Sequence, residues 1–588
     1  MIQLLKKLKS KDWGNVFLIL LLIMAQVYLD LKIPDYVSEI TVKVQTPGSS
    51  TSDILYTGSY MLLCALGSLV AAIIVSFFAT RLAASFAKNL RADLFDQVEN
   101  FSMEEINQFS TSSLITRSTN DITQVQMFVA LGLQIIIKAP IMVIWALTKI
   151  SNKSWQWTTA TAVTVIALLS VIAIVITLAL PKFKKIQSLT DDLTAVTREN
   201  LTGIRVVRAY NAEKHEERRF GEANTALNNN YLFATRTMAL MPPTMTAAMN
   251  GLSLSIYWIG AYLIRDAADA LNRITIFSNM VVFSSYAIQV VMSFVLLTVI
   301  FIMLPRAQVS ANRIKEVLNT KSTINDGSVK EGKAGLEGQV EFRHVSFKYP
   351  DAEKCVVEDI NFIARKGETV AFIGSTGSGK STIVNLIPRF YDATEGEVLV
   401  DGINVKNYTQ QALRNKIGYV SQQAVLFRGT IASNIAYGDN GKGAISDDKM
   451  KRAVDIAKGT EFIEKTEGGY EGQVAQGGGN FSGGQKQRLA IARAIARDPE
   501  IFVFDDSFSA LDYRTDRELR LQLKQEAADV TNLIVGQRIG TIKDADTIIV
   551  LEEGKMVGKG THEELLETSE VYREIAHSQL SEEELANE

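Results

Sequence analysis

The apolar residues of this 588-residue chain are concentrated before about residue 305, in long runs that hold few charges. Six such runs lie at about 15–33, 55–80, 125–150, 156–180, 240–264 and 276–304. Each is near the ~20 residues that a helix needs to cross a bilayer. The first half is therefore expected to be a membrane bundle of six α-helices. The unevenness matters more than the overall 47% hydrophobic content, because the second half reads as an ordinary soluble α/β domain. The expected layout is a membrane region over 1–320, a linker at 321–338, a soluble domain over 339–580 and a tail at 581–588.

Loop lengths and charges orient the spans. Residues 81–124 and 181–239 are long, polar and compatible with helix, whereas 151–155 and 265–275 are short. The 181–239 stretch carries Lys182, Lys184, Lys185, Arg198, Arg205, Arg208, Lys214, Arg218, Arg219 and Arg236. Positive loops stay on the cytoplasmic side. With Lys6, Lys7, Lys9 and Lys11, this places the N-terminus and both long loops inside. An even number of spans then returns the soluble half to the same side. The basic start is read as a short surface helix before the first span, since the run from Val16 to Leu31 lacks a small-residue cleavage site. The long polar loops are expected to continue the spans as cytoplasmic rods. Residues 205–220 are read either as a cross-piece against the soluble domain or as a solvated charged loop.

Some residues in the spans carry alternatives. Lys138, just before Ala139-Pro140, is either a functional intramembrane charge or a snorkelling lysine near the inner interface, and the second is favoured. Met238, Met241, Met245 and Met249 recur at helical spacing, which suits helix packing or contact with varied apolar ligands. Phe283, Tyr286, Gln289 and Phe294 allow the same two readings. The net charge of −3 gives no case for nucleic acid. Two distant cysteines, Cys64 and Cys355, point to neither a disulfide nor a zinc site.

The soluble half carries the chemistry. The run Thr369-Val370-Ala371-Phe372-Ile373 reads as a buried strand feeding into Gly374-Ser375-Thr376-Gly377-Ser378-Gly379-Lys380-Ser381-Thr382, and a helix follows from Ile383. Strand, glycine loop and helix form the context of a phosphate-binding loop. Glycines let backbone N–H groups turn inward onto phosphate oxygens, and the helix start adds the positive end of a dipole. Lys380 reaches the β- and γ-phosphates of ATP and Ser381 offers a hydroxyl to Mg²⁺. Ile501-Phe502-Val503-Phe504-Asp505-Asp506 is an apolar strand ending in two acids. Asp505 fits the Mg²⁺-supporting acid of such sites. Asp506 falls where a general base meets the attacking water.

Ser482-Gly483-Gly484-Gln485, followed by Lys486-Gln487-Arg488-Leu489-Ala490, resembles the signature of ATP-binding cassette (ABC) transporters. The resemblance covers essentially the whole chain, as a six-span exporter region followed by a nucleotide-binding domain. It implies that Tyr349 stacks on adenine, that Gln422 approaches Mg²⁺ and relays its state to the membrane half, and that Ser509-Ala510-Leu511-Asp512 crosses a dimer seam. It also implies that two domains pair head to tail, so that 482–485 completes a phosphate loop on another chain. Gly483 and Gly484 opening a helix after Ser482 make a second anion site.

Two positions depart from the family pattern. Asp506 stands where active members usually carry Glu, and Gln537 stands where they carry a switch histidine. Gln476 departs from a Glu common in that stretch of active exporters. Asp is one methylene shorter, and general-base catalysis depends on reach. Gln does not titrate. The pattern resembles the degenerate-site subunit of bacterial heterodimeric ABC multidrug exporters. It implies a second half-transporter as partner, contact with membrane lipid, a small hydrophobic or amphipathic substrate and a place in the cell membrane. A homodimeric lipid or peptide exporter, or a nucleotide-gated regulator that does not pump, remain alternatives.

Overall fold

A computed structural model describes residue 4 and residues 10–46, 48–151, 154–267, 269–350 and 352–579. The expected surface helix at 1–9 and the tail at 581–588 lie outside the described residues, apart from residue 4. The chain divides into two compact units.

The first unit comprises residues up to Glu99 together with Thr111–Thr320. Among the described residues it holds six helices long and apolar enough to cross a membrane: α1 (Asp12–Gln45), α2 (Thr51–Glu99), α3 (Thr111–Ser151), α4 (Trp155–Thr202), α5 (Glu213–Arg265) and α6 (Ala270–Asn319). They run from 34 to 53 residues. At about 1.5 Å per residue the longest exceed a ~30 Å hydrocarbon core at least twofold. The apolar runs thus extend into the polar segments beside them as helix, with a turn at Leu240 in α5. A short helix, Ile204–Ala209, joins α4 to α5 with no buried residue.

Packing follows the helical repeat. Ile19, Ile23, Val27 and Leu31, each one turn apart on α1, are buried in one cluster with Val75, Ala79 and Leu82 of α2. That spacing places one apolar stripe of each helix in the seam. The α3–α6 seam has a polar clasp. A π-helical turn at Arg117–Asp121 turns both charged side chains inward. There Arg117 donates to the Arg313 carbonyl and to Glu316, and Asp121 accepts from Ser310.

Lys138, read above as a snorkelling lysine, has an acidic partner. Its Nζ lies 3.2 Å from Asp30 of α1, which also accepts a hydrogen bond from Ser68. A second pair, Lys149 to Asp35 at 2.8 Å, is joined by the Tyr286 hydroxyl. A charge in a span is costly unless paired, and each lysine meets that cost with an aspartate on α1. The methionine stripe packs into the helix core: Met241 is buried, and Met238, Met245 and Met249 lie against the same cluster. Phe283 and Tyr286 are fully buried there.

The second unit comprises Asn100–Ser110 and Lys321–Glu588. One sheet is antiparallel, in the order β2-β1-β4-β5, from β1 (Val340–Phe347), β2 (Val357–Ala364), β4 (Glu395–Val400) and β5 (Ile403–Asn404). The other has the order β12-β11-β3-β10-β9-β6. Its strands are β3 (Thr369–Gly374), β6 (Ile417–Val420), β9 (Ile501–Asp505), β10 (Thr531–Val535), β11 (Thr547–Glu552) and β12 (Lys555–Gly560). All pairings in it are parallel except β11 with β12. The strands β9 and β10 are buried at every residue, as central parallel strands covered on both faces must be. A small ribbon pairs β7 (Gly429–Thr430) with β8 (Gln473–Val474).

Register places the site. Val535 lies opposite both Phe372 of β3 and Asp505 of β9. The carboxyl ends of three adjacent strands are thus level, and the loops after them emerge together. Crevices at such strand ends are where open α/β sheets bind ligands.

Two segments join this unit in ways that composition does not announce. Residues 321–338 run along the edge of the antiparallel sheet, with Gly327 and Val329 bonded to the backbone of Tyr408 and Asn407, and Lys333 to Asp401. The short helix Met103–Phe109 opens with a Ser102–Glu105 capping box. Glu105 accepts from the Thr323 N–H, and Asn107 donates to the Tyr391 hydroxyl at 3.0 Å.

Candidate nucleotide site

The loop 374–382 leaves β3 and enters α7 (Lys380–Leu386). Gly379, the residue before the helix, has φ +94°. A side chain is strained there, and a Cβ would also press on Val357. This turn aims the first N–H groups of α7 back at the loop.

Lys380 is almost buried and folds over the loop, donating to the carbonyls of Gly374 at 2.9 Å and Ser375 at 2.8 Å. Burial lowers its pKa, and the nearby Asp506 and Asp505 work against that shift. The Ser381 hydroxyl donates to Asp505 at 2.7 Å. Burial raises the Asp505 carboxyl, opposed by that hydrogen bond. A hydroxyl and a carboxylate converging from two elements are hard oxygen donors, which suits Mg²⁺ completed by phosphate oxygens and water. Among the described residues no cluster of three or more His, Cys, Asp or Glu makes an all-protein metal cage.

Asp506 follows β9 with φ +47°, in the left-handed region. Its Oδ2 accepts two side-chain amides, from Gln537 at 2.8 Å and from Gln422 at 3.2 Å. The three residues singled out in the sequence thus meet at one oxygen. Burial raises the Asp506 carboxyl, and the Gln422 hydrogen bond works against it. Tyr349 places its hydroxyl 3.3 Å from Thr382 at the end of the loop and meets Tyr391 edge-on.

The signature run opens α8 (Gly483–Ala496). Ser482 is its N-cap, accepting from the Gln485 N–H while Gln485 accepts from the Ser482 N–H. Ser482 and Gly483 are exposed. Among the described residues no hydrogen bond joins 482–485 to 374–382. Asp512 caps α9 (Tyr513–Glu526) through the Thr515 N–H. Gln476 is exposed in a short turn, apart from these contacts. One residue that the sequence reading passed over is Gln487: it is buried and donates to the Ser421 carbonyl, tying α8 to the residue before Gln422. Its only sequence signal is a polar residue on the inward face of an otherwise apolar helix stripe.

A phosphate loop and paired acids at the strand ends of an α/β unit, in one chain with a six-helix membrane unit, define an ATP-driven membrane exporter. The comparisons place it within a family. The description "ABC transporter transmembrane region" fits residues 16–294, and "ABC transporter" fits 357–509. The chain is 40% identical to an uncharacterized ABC transporter ATP-binding protein of Mycobacterium tuberculosis (strain ATCC 25618 / H37Rv), over 90% of both chains. It is 32% identical to an ATP-dependent lipid A-core flippase of Pseudomonas aeruginosa, over 84% of this chain and 79% of that one. A solved structure of a bacterial Atm1-family ABC exporter with ATP bound matches with a TM-score of 0.79 and 25% identity, covering 97% of this chain and 98% of that one. The chain belongs to the ABC transporter family, as a multi-pass exporter subunit with a cytoplasmic ATPase domain.

Proposed function

We propose that this chain is the slow-turnover half of a two-chain exporter that moves hydrophobic or amphipathic compounds out across the cell membrane. The observation that carries the reading is the Asp506 carboxylate. It belongs to the shorter acid, and it is held by the amides of Gln537 and Gln422 at 2.8 and 3.2 Å. A general base needs hydrogen-bond reach to the attacking water, and here the shorter acid is drawn by one oxygen toward two amides.

In this reading the loop 374–382, with Lys380, holds the phosphates of ATP, and Tyr349 faces the adenine. Ser381 and Asp505, with Gln422 at the edge, would hold Mg²⁺. Magnesium, when bound, supplies positive charge to the β- and γ-phosphate oxygens. The exposed cap at 482–485 offers helix N–H groups to the nucleotide of a partner half-transporter, where faster hydrolysis takes place. Nucleotide binding shifts the pair between conformations open to opposite sides of the membrane.

ATPase assays on the chain alone and with its partner test this. Slow turnover alone and fast turnover together are expected. Robust ATPase from the lone chain, unaffected by Asp506→Asn, overturns it. A second reading, a homodimeric lipid exporter, draws support from the relative named as a lipid A-core flippase. Reconstituted vesicles separate the two: flipping of a labelled lipid by the chain alone favours the second.

A further inference from the structure

The loop that carries Gln537 is gripped from the end of the chain. Gln579, in the last turn of α11 (Glu570–Gln579), donates from Nε2 to the Gln537 carbonyl at 2.8 Å. Its Oε1 accepts from the Ile539 N–H, also at 2.8 Å. The two bonds bracket Arg538, so a single side-chain amide pairs with the loop backbone much as a neighbouring strand would. Ile539 opens a four-residue helix whose own N-cap, Arg538, makes no side-chain capping bond. Gln579 supplies an acceptor for the N–H of Ile539, one of the open donors of that first turn, from a distant part of the sequence.

Both ends of this grip are anchored. α11 is held by Tyr572, fully buried, with its hydroxyl 2.6 Å from Nδ1 of His562 at the start of α10 (His562–Thr568). Arg573 donates to the carbonyls of Leu566 and Glu567. At the other end, the Gln537 side chain donates to Asp506. Gln579 itself is exposed, so burial does not force its amide to find protein partners. Water is available to it, and it engages the loop.

We propose that Gln579 is a positioning residue for the nucleotide site. It fixes the Gln537 backbone, and so sets where the Gln537 amide falls relative to Asp506 and to the terminal phosphate of a nucleotide on 374–382. This rests on the proposed function and takes Gln537, which stands where the family carries its switch histidine and bonds Asp506, as the residue that addresses that phosphate.

The test uses full-length protein in lipid nanodiscs, a fluorescent non-hydrolysable ATP analogue and fluorescent ADP. Gln579→Ala removes both bonds. It is expected to weaken the ATP analogue about fivefold, the scale of one or two net hydrogen bonds, and to leave ADP unchanged. Gln537→Ala is expected to do the same, and the double variant to be no worse than either single one. Gln579→Glu keeps an acceptor for Ile539 but sets a carboxylate against the Gln537 carbonyl; a loss matching Gln579→Ala is expected. Equal weakening of ATP analogue and ADP, or additive losses in the double variant, overturns the proposal. So does unchanged affinity in Gln579→Ala when Gln537→Ala binds more weakly, and in that case the reading of Gln537 survives. Unchanged affinity in Gln537→Ala removes that reading and this proposal together.

Discussion

The phosphate-loop region and the signature cap treat their polar groups in opposite ways. Around the loop they turn inward: Lys380 onto loop carbonyls, Ser381 onto Asp505, and two amides onto Asp506. Both acids are more than nine-tenths buried. At the cap, Ser482 and Gln485 satisfy each other's backbone and the helix end faces solvent. A ligand at the first region has to displace internal partners, whereas the second is formed in advance and needs only a ligand brought to it. The first is therefore a site that changes on binding, and the second is a surface already formed and open to solvent.

The largest expected effect breaks that division. Asp506→Glu with Gln537→His restores reach and a titrating partner, and turnover at this chain's own loop is expected to rise on the order of 10²-fold. ATPase of the two-chain complex, with the partner's own site inactivated, reads it; no gain would mean that something other than these two residues limits the site. Next, Lys380→Ala removes a charged donor and should weaken ATP binding to this loop roughly tenfold to a hundredfold. Melting of the same variant should still show the signature cap intact.

A smaller effect sharpens the contrast from the other side. Ser482→Ala removes a cap and should cost about 1 kcal/mol of stability, read by denaturant unfolding. Nucleotide affinity of the lone chain should not move, while ATPase of the two-chain complex falls. If lone-chain affinity drops equally, the cap serves its own chain and the division fails.

The smallest effect is a pair of pH slopes with opposite signs. Burial raises the Asp506 carboxyl, so the folded state holds that proton more readily than the unfolded chain. Its contribution to stability is best below the ordinary carboxyl range and worsens as pH rises through the raised value. Asp512 is lowered by the Thr515 N–H, so its contribution is complete above the ordinary range and is lost as pH falls. Relative to wild type without nucleotide, Asp506→Asn should gain melting temperature between about pH 4 and 7, and Asp512→Asn should lose it. Matching slopes would mean that the two aspartates share one environment.

Much of this architecture is written locally and was legible for that reason. A run of apolar residues or a glycine loop between strand and helix is complete within about 20 residues. What stayed hidden depends on distant pairs. Lys138 alone reads as a snorkelling lysine, because its partner Asp30 is 108 residues away and is itself unremarked. The Ser102–Glu105 spacing marks a helix start, but nothing in it says that Asn107 meets Tyr391. The acid and the amide at 506 and 537 stand out only against a family pattern, and their hydrogen bond emerges from the level ends of β9 and β10. Gln579 carries no motif at all.

Asp506 carries a further consequence through its backbone. The left-handed region at φ +47° accommodates Asp and Asn far more readily than longer side chains. The acid with the better reach is therefore the one that this backbone tolerates less, and Asp506→Glu alone is expected to cost about 1 kcal/mol of fold stability. Speed and durability oppose each other at a single position.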